Sequence, residues 1–129
     1  MNEPRVSIAP IGAAKREGEG WRTTWRIVNA EPDAVRVVGA IAPHSQFRGE
    51  ATLDREIRPK GSTQLSLVVQ TSGATGSEVE NAFVIVLVQR GDERWRVLAR
   101  LRVPLDDAGM PKPRIETVTL QRVGFSGEL

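Results

Sequence analysis

Apolar and polar residues alternate at every second position along most of this chain, which is the period of a β-strand with one covered face. Trp21, Thr23, Trp25 and Ile27 fall on one side of a run, with Arg22, Thr24, Arg26 and Val28 on the other. The run closes at Asn29-Ala-Glu-Pro-Asp33, a cluster of turn residues. The same pattern predicts strands from Val35 to Ile41, ending before Pro43, and from Thr52 to Arg58, ending before Pro59-Lys-Gly-Ser62. A further strand runs from Gln64 to Gln70, with Leu65, Leu67 and Val69 on one face. Upstream, Val6 to Ala13 adds a strand with Lys15 to Gly20 as its turn, and the polar stretch 71–77 is a linker. Residues 104–113, rich in Pro, Gly and Asp, read as a loop, and 114–125 as an extra C-terminal strand centred on Ile115 to Val123. No helical period and no internal repeat competes with this pattern. A core of Trp25, Ile27, Val37, Leu67, Trp95, Val97 and Leu101 follows from the shared apolar faces.

One segment breaks the alternation. Residues 79–103 read VENAFVIVLVQRGDERWRVLARLRV. Gly91-Asp92 fits a two-residue type II′ turn, which pairs Arg90 with Glu93, Val88 with Trp95, Val86 with Val97, Val84 with Ala99 and Ala82 with Leu101. A three-residue loop would slip this register by one. In the two-residue register the second face carries Phe83, Ile85 and Leu87 beside Arg94, Arg96, Leu98, Arg100 and Arg102. The first strand is then apolar on both sides, whereas an antiparallel sheet normally keeps one wet face. Burying rather than exposing side chains of this size is worth about 1.5 to 3 kcal/mol each, so a cover is expected. Three covers are open: the arginine stems themselves, the segment from Ile115 to Phe125 folded back, or another subunit. The candidate interaction surface is therefore Phe83, Ile85, Leu87, Arg94, Arg96, Arg100 and Arg102, with a homodimer as the simplest occupant.

The succession Trp25-Arg-Ile-Val-Asn29, Val35-Arg-Val37, and Ile57-Arg-Pro-Lys-Gly-Ser62 leading into Leu65-Ser-Leu-Val-Val69 resembles the bacterial immunoglobulin-like domains. The resemblance covers roughly residues 21–103. It implies an all-β, antiparallel immunoglobulin-like β-sandwich of seven to eight strands in one domain over residues 1–129. The cysteine pair and tyrosine corner of antibody-type members are missing, so only the architecture carries over. Such domains serve as spacers, adhesion elements or binding modules.

Composition narrows the chemistry. The chain has no cysteine, which removes thiolate nucleophiles and Cys-ligated zinc. Its single histidine, His44, stands beside Ser45 between predicted strands and has no second histidine to complete a zinc site or a base relay. Asp106-Asp107-Ala-Gly109 lacks the spacing of a calcium loop and reads as a solvated turn. Gly73-Ala-Thr-Gly76 lacks the Lys-Ser/Thr ending of a phosphate loop. No catalytic, cofactor or metal residue is assigned, and an enzyme ranks third among the readings. The pI near 9.7 accompanies a net charge of only +2, because no Tyr or Cys and one His leave almost nothing to titrate across the neutral range. The arginine row could act as a rail for a polyanion, but Glu78, Glu80 and Glu93 are placed to pair with it, so nucleic acid is not the expected partner. The first residues lack the pattern of a signal peptide and no apolar run is long enough to span a membrane, so a cytoplasmic protein without membrane insertion is expected. The reading that results is a non-catalytic protein-interaction or structural module, with a small-ligand or polyanion-binding domain as the alternative.

Overall fold

The computed structural model describes residues 2–124. Among these there are eight strands and no helix: β1 (Val6–Glu17), β2 (Gly20–Asn29), β3 (Val35–His44), β4 (Phe47–Ile57), β5 (Ser62–Thr71), β6 (Glu78–Arg90), β7 (Glu93–Pro104) and β8 (Arg114–Arg122). Neighbouring strands are antiparallel throughout, in the order β1-β2-β5-β4-β3-β6-β7-β8. The sheet curls on itself as a half-barrel, with β1 and β8 as its free edges.

The bend falls between β4 and β5, which pair only at Phe47↔Thr71 and Arg48↔Gln70. Immediately beyond, Gly49 lies so close to β5 that a Cβ there would sit 2.1 Å from the Val68 carbonyl oxygen. Hydrogen alone fits that crossing. On one side of the bend β1, β2 and β5 turn Val6, Ile8, Trp25, Ile27, Leu67 and Val69 inward. On the other, β3, β6 and β7 supply Val35, Val37, Val84, Val86, Val88, Trp95, Val97 and Leu101. All seven residues expected in the core are buried there. Polar groups inside are matched: Trp25 Nε1 donates to Thr23 Oγ1 at 2.8 Å, and Thr23 Oγ1 donates to the Leu67 carbonyl at 2.7 Å.

Curving a sheet this far would rotate inward residues out of phase, and bulges restore them. Val79 and Ala82 are three apart yet both point inward, because the β6–β7 register shifts between them and Asn81 takes φ of 57°. A shift between Val37 and Gly39 does the same for Val37 and Ala40 on β3. Asn29, fully buried at the end of β2, fixes the following corner: its Nδ2 donates to the carbonyls of Asp33, Ile57 and Arg58, and its Oδ1 accepts from Glu31 N at 2.9 Å.

Two boundaries differ from the sequence reading: β1 does not give way to a turn at Lys15 but pairs with β2 through Glu17↔Gly20, which leaves Gly18-Glu19 as the turn. β3 does not stop at Ile41 but runs through Pro43 to His44, and β4 begins at Phe47 rather than Thr52, so Ser45-Gln46 is a tight hairpin. Proline is tolerated because its pairing with β4 leaves the ring nitrogen facing the other side, where β6 has ceased to pair beyond Ile41↔Ile85. The extra C-terminal strand expected over 114–125 is present as β8, which adds to the sheet beside β7 from Arg102↔Arg114 to Trp95↔Arg122 rather than folding over the hairpin. Phe125 lies outside the described residues.

Two substitutions test this packing. Trp95→Ala is expected to lower unfolding free energy by about 3–5 kcal/mol in denaturant titration, the range for deleting a buried aromatic. Gly49→Ala should cost about 1–3 kcal/mol by forcing the two backbones apart. A neutral result at Gly49 would place the bend elsewhere.

Candidate interaction surface

The β6–β7 hairpin has the register that a two-residue turn dictates: Arg90↔Glu93, Val88↔Trp95, Val86↔Val97, Val84↔Ala99 and Ala82↔Leu101. Gly91 has φ of 59° and Asp92 is not in the left-handed region, the pattern of a type II′ turn. With that register fixed, pairing across four strands arranges the outer face in rows. Ile41, Ile85, Leu98 and Thr119 form one row; Gly39, Leu87, Arg96 and Gln121 form the next; Phe83, Arg100 and Thr117 form a third. Phe83, Ile85, Leu87 and Leu98 are half-buried by one another, and Ile41 is 41% exposed. Gly39 brings no side chain beside Leu87, and the dip it leaves has a volume of about 210 Å³ between Ile41, Glu50, Ile85 and Arg96. A larger hollow of about 530 Å³ adjoins it at the bend, lined by Ile41, Pro43, Arg48, Glu50, Val68 and Gln70.

The arginines at the rim are mostly engaged. Arg102 NH1 contacts Glu78 at 2.7 Å and Glu80 at 3.1 Å, and its Nε contacts Glu116 at 3.1 Å. Glu78 first, and Glu116 with it, hold its guanidinium more firmly protonated than usual. Arg100 Nε lies 3.6 Å from Glu116, and Arg96 NH1 donates to Gln121 Oε1 at 3.2 Å. Of the four, Arg94 and Arg96 have no ion-pair partner among the described residues. Glu78 and Glu80 were visible in the sequence as partners for this row. Glu116 was not, since only the placement of β8 brings it across β7. Neither of the two cation–π contacts covers this face: Arg16 lies over Trp21 and Arg90 over Trp95.

The half-barrel pole beside the Gly91 turn holds a charge network that the sequence did not suggest. Glu31 Oε2 accepts from Arg5 N at 2.8 Å, its Oε1 pairs with Arg90 NH1 at 3.0 Å, and Arg90 NH2 reaches Glu93 Oε1 at 2.8 Å. Trp95 Nε1 also donates to Glu93 Oε1, at 3.0 Å. The Arg5 amide, with help from Arg90, holds the Glu31 carboxyl below its ordinary range, and Arg90 and the Trp95 indole do the same for Glu93. Both oxygens of Glu31 and Oε1 of Glu93 accept from these donors, so the two carboxylates tie the residues before β1 to the hairpin turn.

The remaining candidates serve turns. His44 Nδ1 accepts from Gln46 N at 3.0 Å, inside its own hairpin. Asp106 Oδ1 accepts from Ala108 N and Met110 N, both at 2.9 Å, which closes the loop after β7. Among the described residues no group of three or more His, Asp or Glu is placed to hold a metal ion, and no helix is long and apolar enough to cross a membrane. The chain matches no family model and no curated protein.

His44→Ala is expected to shift stability by no more than about 0.5 kcal/mol, the range of an exposed substitution; a larger change in chemical unfolding would give His44 a role the turn does not explain. The acid limb tests the pole. A carboxyl whose folded pKa is depressed stabilises the fold above its ordinary value of 4.5 and loses that contribution as pH falls through the lowered pKa. Melting temperature should therefore drop on acidification below that value, and Glu31→Gln should lower it at neutral pH while flattening the drop.

Proposed function

We propose that this chain is a non-catalytic protein-interaction or structural module of the immunoglobulin-like β-sandwich kind, with the outer face of the β6–β7 hairpin as its contact surface. The observation that carries the reading is the row Ile41, Ile85 and Leu98 lying on the solvent side of the sheet, beside Phe83 and Leu87 and inside a polar rim. An apolar centre bordered by arginines has the composition of a protein interface rather than of a wet sheet face, which would carry Thr, Ser and Lys. The C-terminal strand continues the sheet instead of covering this face, which leaves the arginine stems or another chain to cover it. The partner is a protein, either a second copy of this chain or another one. Neutralisation of Arg100 and Arg102 by Glu116, Glu78 and Glu80 weighs against a polyanion.

A small-ligand reading draws on the hollow of about 530 Å³ at the bend, where Arg48, Glu50 and Gln70 offer polar groups beside Ile41 and Val68. Its volume lies within the usual range for ligand sites. The dip beside Leu87, at about 210 Å³, is below that range and suits an inserted side chain better.

Sedimentation of the intact protein and of Leu87→Arg, alone and with copurified protein from native extract, tests the main reading. Leu87→Arg should remain folded and lose its partner, and a dimer that becomes monomeric would identify the partner as a second copy. A variant that unfolds, from a protein monomeric and partnerless at the outset, would mean that Leu87 is internal core and would overturn the contact surface.

A further inference from the structure

The two free edges of the sheet are built differently. β1 carries Pro10, which has no N–H to offer, then a register break between Ile11 and Lys15 with Gly12 at φ of 67°, then Lys15-Arg16-Glu17. These are the usual devices that stop a strand edge from recruiting another strand. The edge of β4 that faces away from β3 past the bend is likewise charged, at Asp54, Arg55 and Glu56, and Arg55 NH1 reaches across to the Gln64 carbonyl at 2.6 Å. β8 has no such protection over Thr117-Val-Thr-Leu-Gln121: five residues without charge, proline or glycine, three of them β-branched.

The direction of its backbone groups can be worked out. Val123 N donates to the Arg94 carbonyl at 2.9 Å, which makes Arg94–Val123 a hydrogen-bonded pair. Pairs alternate along an antiparallel ladder, so Gln121, Thr119 and Thr117 bond to Arg96, Leu98 and Arg100 of β7. Val118, Leu120 and Arg122 then turn their N–H and C=O groups outward. Among the described residues no backbone hydrogen bond from another element reaches the outward groups of Val118 or Leu120. At the start of β8, Pro10, Gly12, Ala13 and Ala14 of β1 and Met110 to Arg114 line a hollow of about 500 Å³.

We propose that β8 pairs edge to edge, antiparallel, with β8 of a second copy of this chain, on a twofold axis at Thr119. Centred there, Val118 and Leu120 face Leu120 and Val118 of the partner subunit with their outward groups in hydrogen-bonding register, and Thr117 faces Gln121 of the partner subunit. Arg122 falls opposite Glu116 of the partner subunit. Centring on Val118 instead would set Arg114 against Arg122, a like-charge pair directly opposite. The pairing also covers Val118, which is 37% exposed on the concave side and is otherwise the most exposed large apolar residue of β8. The two eight-stranded sheets become one continuous sheet, and the outer face of the hairpin is left open for a different protein. This self-contact goes beyond the contact surface proposed above and does not depend on it.

The absence of cysteine makes the register directly measurable, because Thr119→Cys would be the only thiol in the chain. Its symmetric pair is of the non-hydrogen-bonded kind, with Cα atoms about 4.5 Å apart, within the reach of a disulfide. Mild oxidation should convert Thr119→Cys to a covalent dimer on non-reducing gels at least about tenfold faster than Ser7→Cys, an exposed position on the opposite edge strand. Val118→Lys should sediment as a folded monomer, and in combination with Thr119→Cys should abolish the cross-link; if it fails to fold, the cross-linking comparison decides. Equal rates for the two thiols, a protein monomeric at every concentration, or a dimer that Val118→Lys leaves intact would each overturn the proposal. A dimer dissolved by Leu87→Arg but not by Val118→Lys would overturn it while leaving the hairpin face standing as the self-contact.

Discussion

A curled sheet has to keep every second side chain pointing at one axis while its backbone turns, and this geometric demand governs the molecule. A strand of strict period two cannot follow the curve for long without losing phase. The chain meets the demand by inserting residues at Val37–Gly39 and Val79–Ala82, after each of which the inward row resumes. The unbroken inner row Ala82, Val84, Val86, Val88, continued by Trp95, Val97, Ala99 and Leu101 on the returning strand, depends on one such break at Asn81.

Much of this could be read from the residues alone. The alternation in β2 and β5 and the Gly91-Asp92 turn were sufficient to assign strands, inward faces and the pairing of the hairpin, because each is encoded within a few consecutive positions. The bulges were not legible, since an extra residue in one strand has meaning only against the neighbour that lacks it. The β3–β4 hairpin was missed for a related reason. Pro43 reads locally as a breaker, and it is admitted only because β6 has stopped pairing at that height. In the Arg5–Glu31–Arg90–Glu93 network the Arg90–Glu93 pair follows from the turn, whereas the reach to Glu31 and Arg5 joins regions far apart in sequence and left no local trace.

The candidate surface shows the same division. That Phe83, Ile85 and Leu87 share a face with Arg96, Arg100 and Arg102 follows from the turn alone, whereas the enlargement of the patch by Ile41 and the notch at Gly39 required the position of β3. Charge was legible in amount but only in part in disposition. Glu78 and Glu80 could be read as partners of the arginines from their place on the same hairpin, whereas Glu116 comes alongside only through β8, leaving a rim that is polar without being strongly basic.

The network at the Gly91 pole has a mechanical side. Arg90 NH2 is bonded to the Asn2 carbonyl, and Val123 N to the Arg94 carbonyl, so both ends of the described chain meet at one pole. The first and last strands are also the two edges of the sheet. Tension drawn between the ends would therefore not shear long strands past one another. It would peel β1 from β2 and β8 from β7 from the same pole, breaking hydrogen bonds a few at a time.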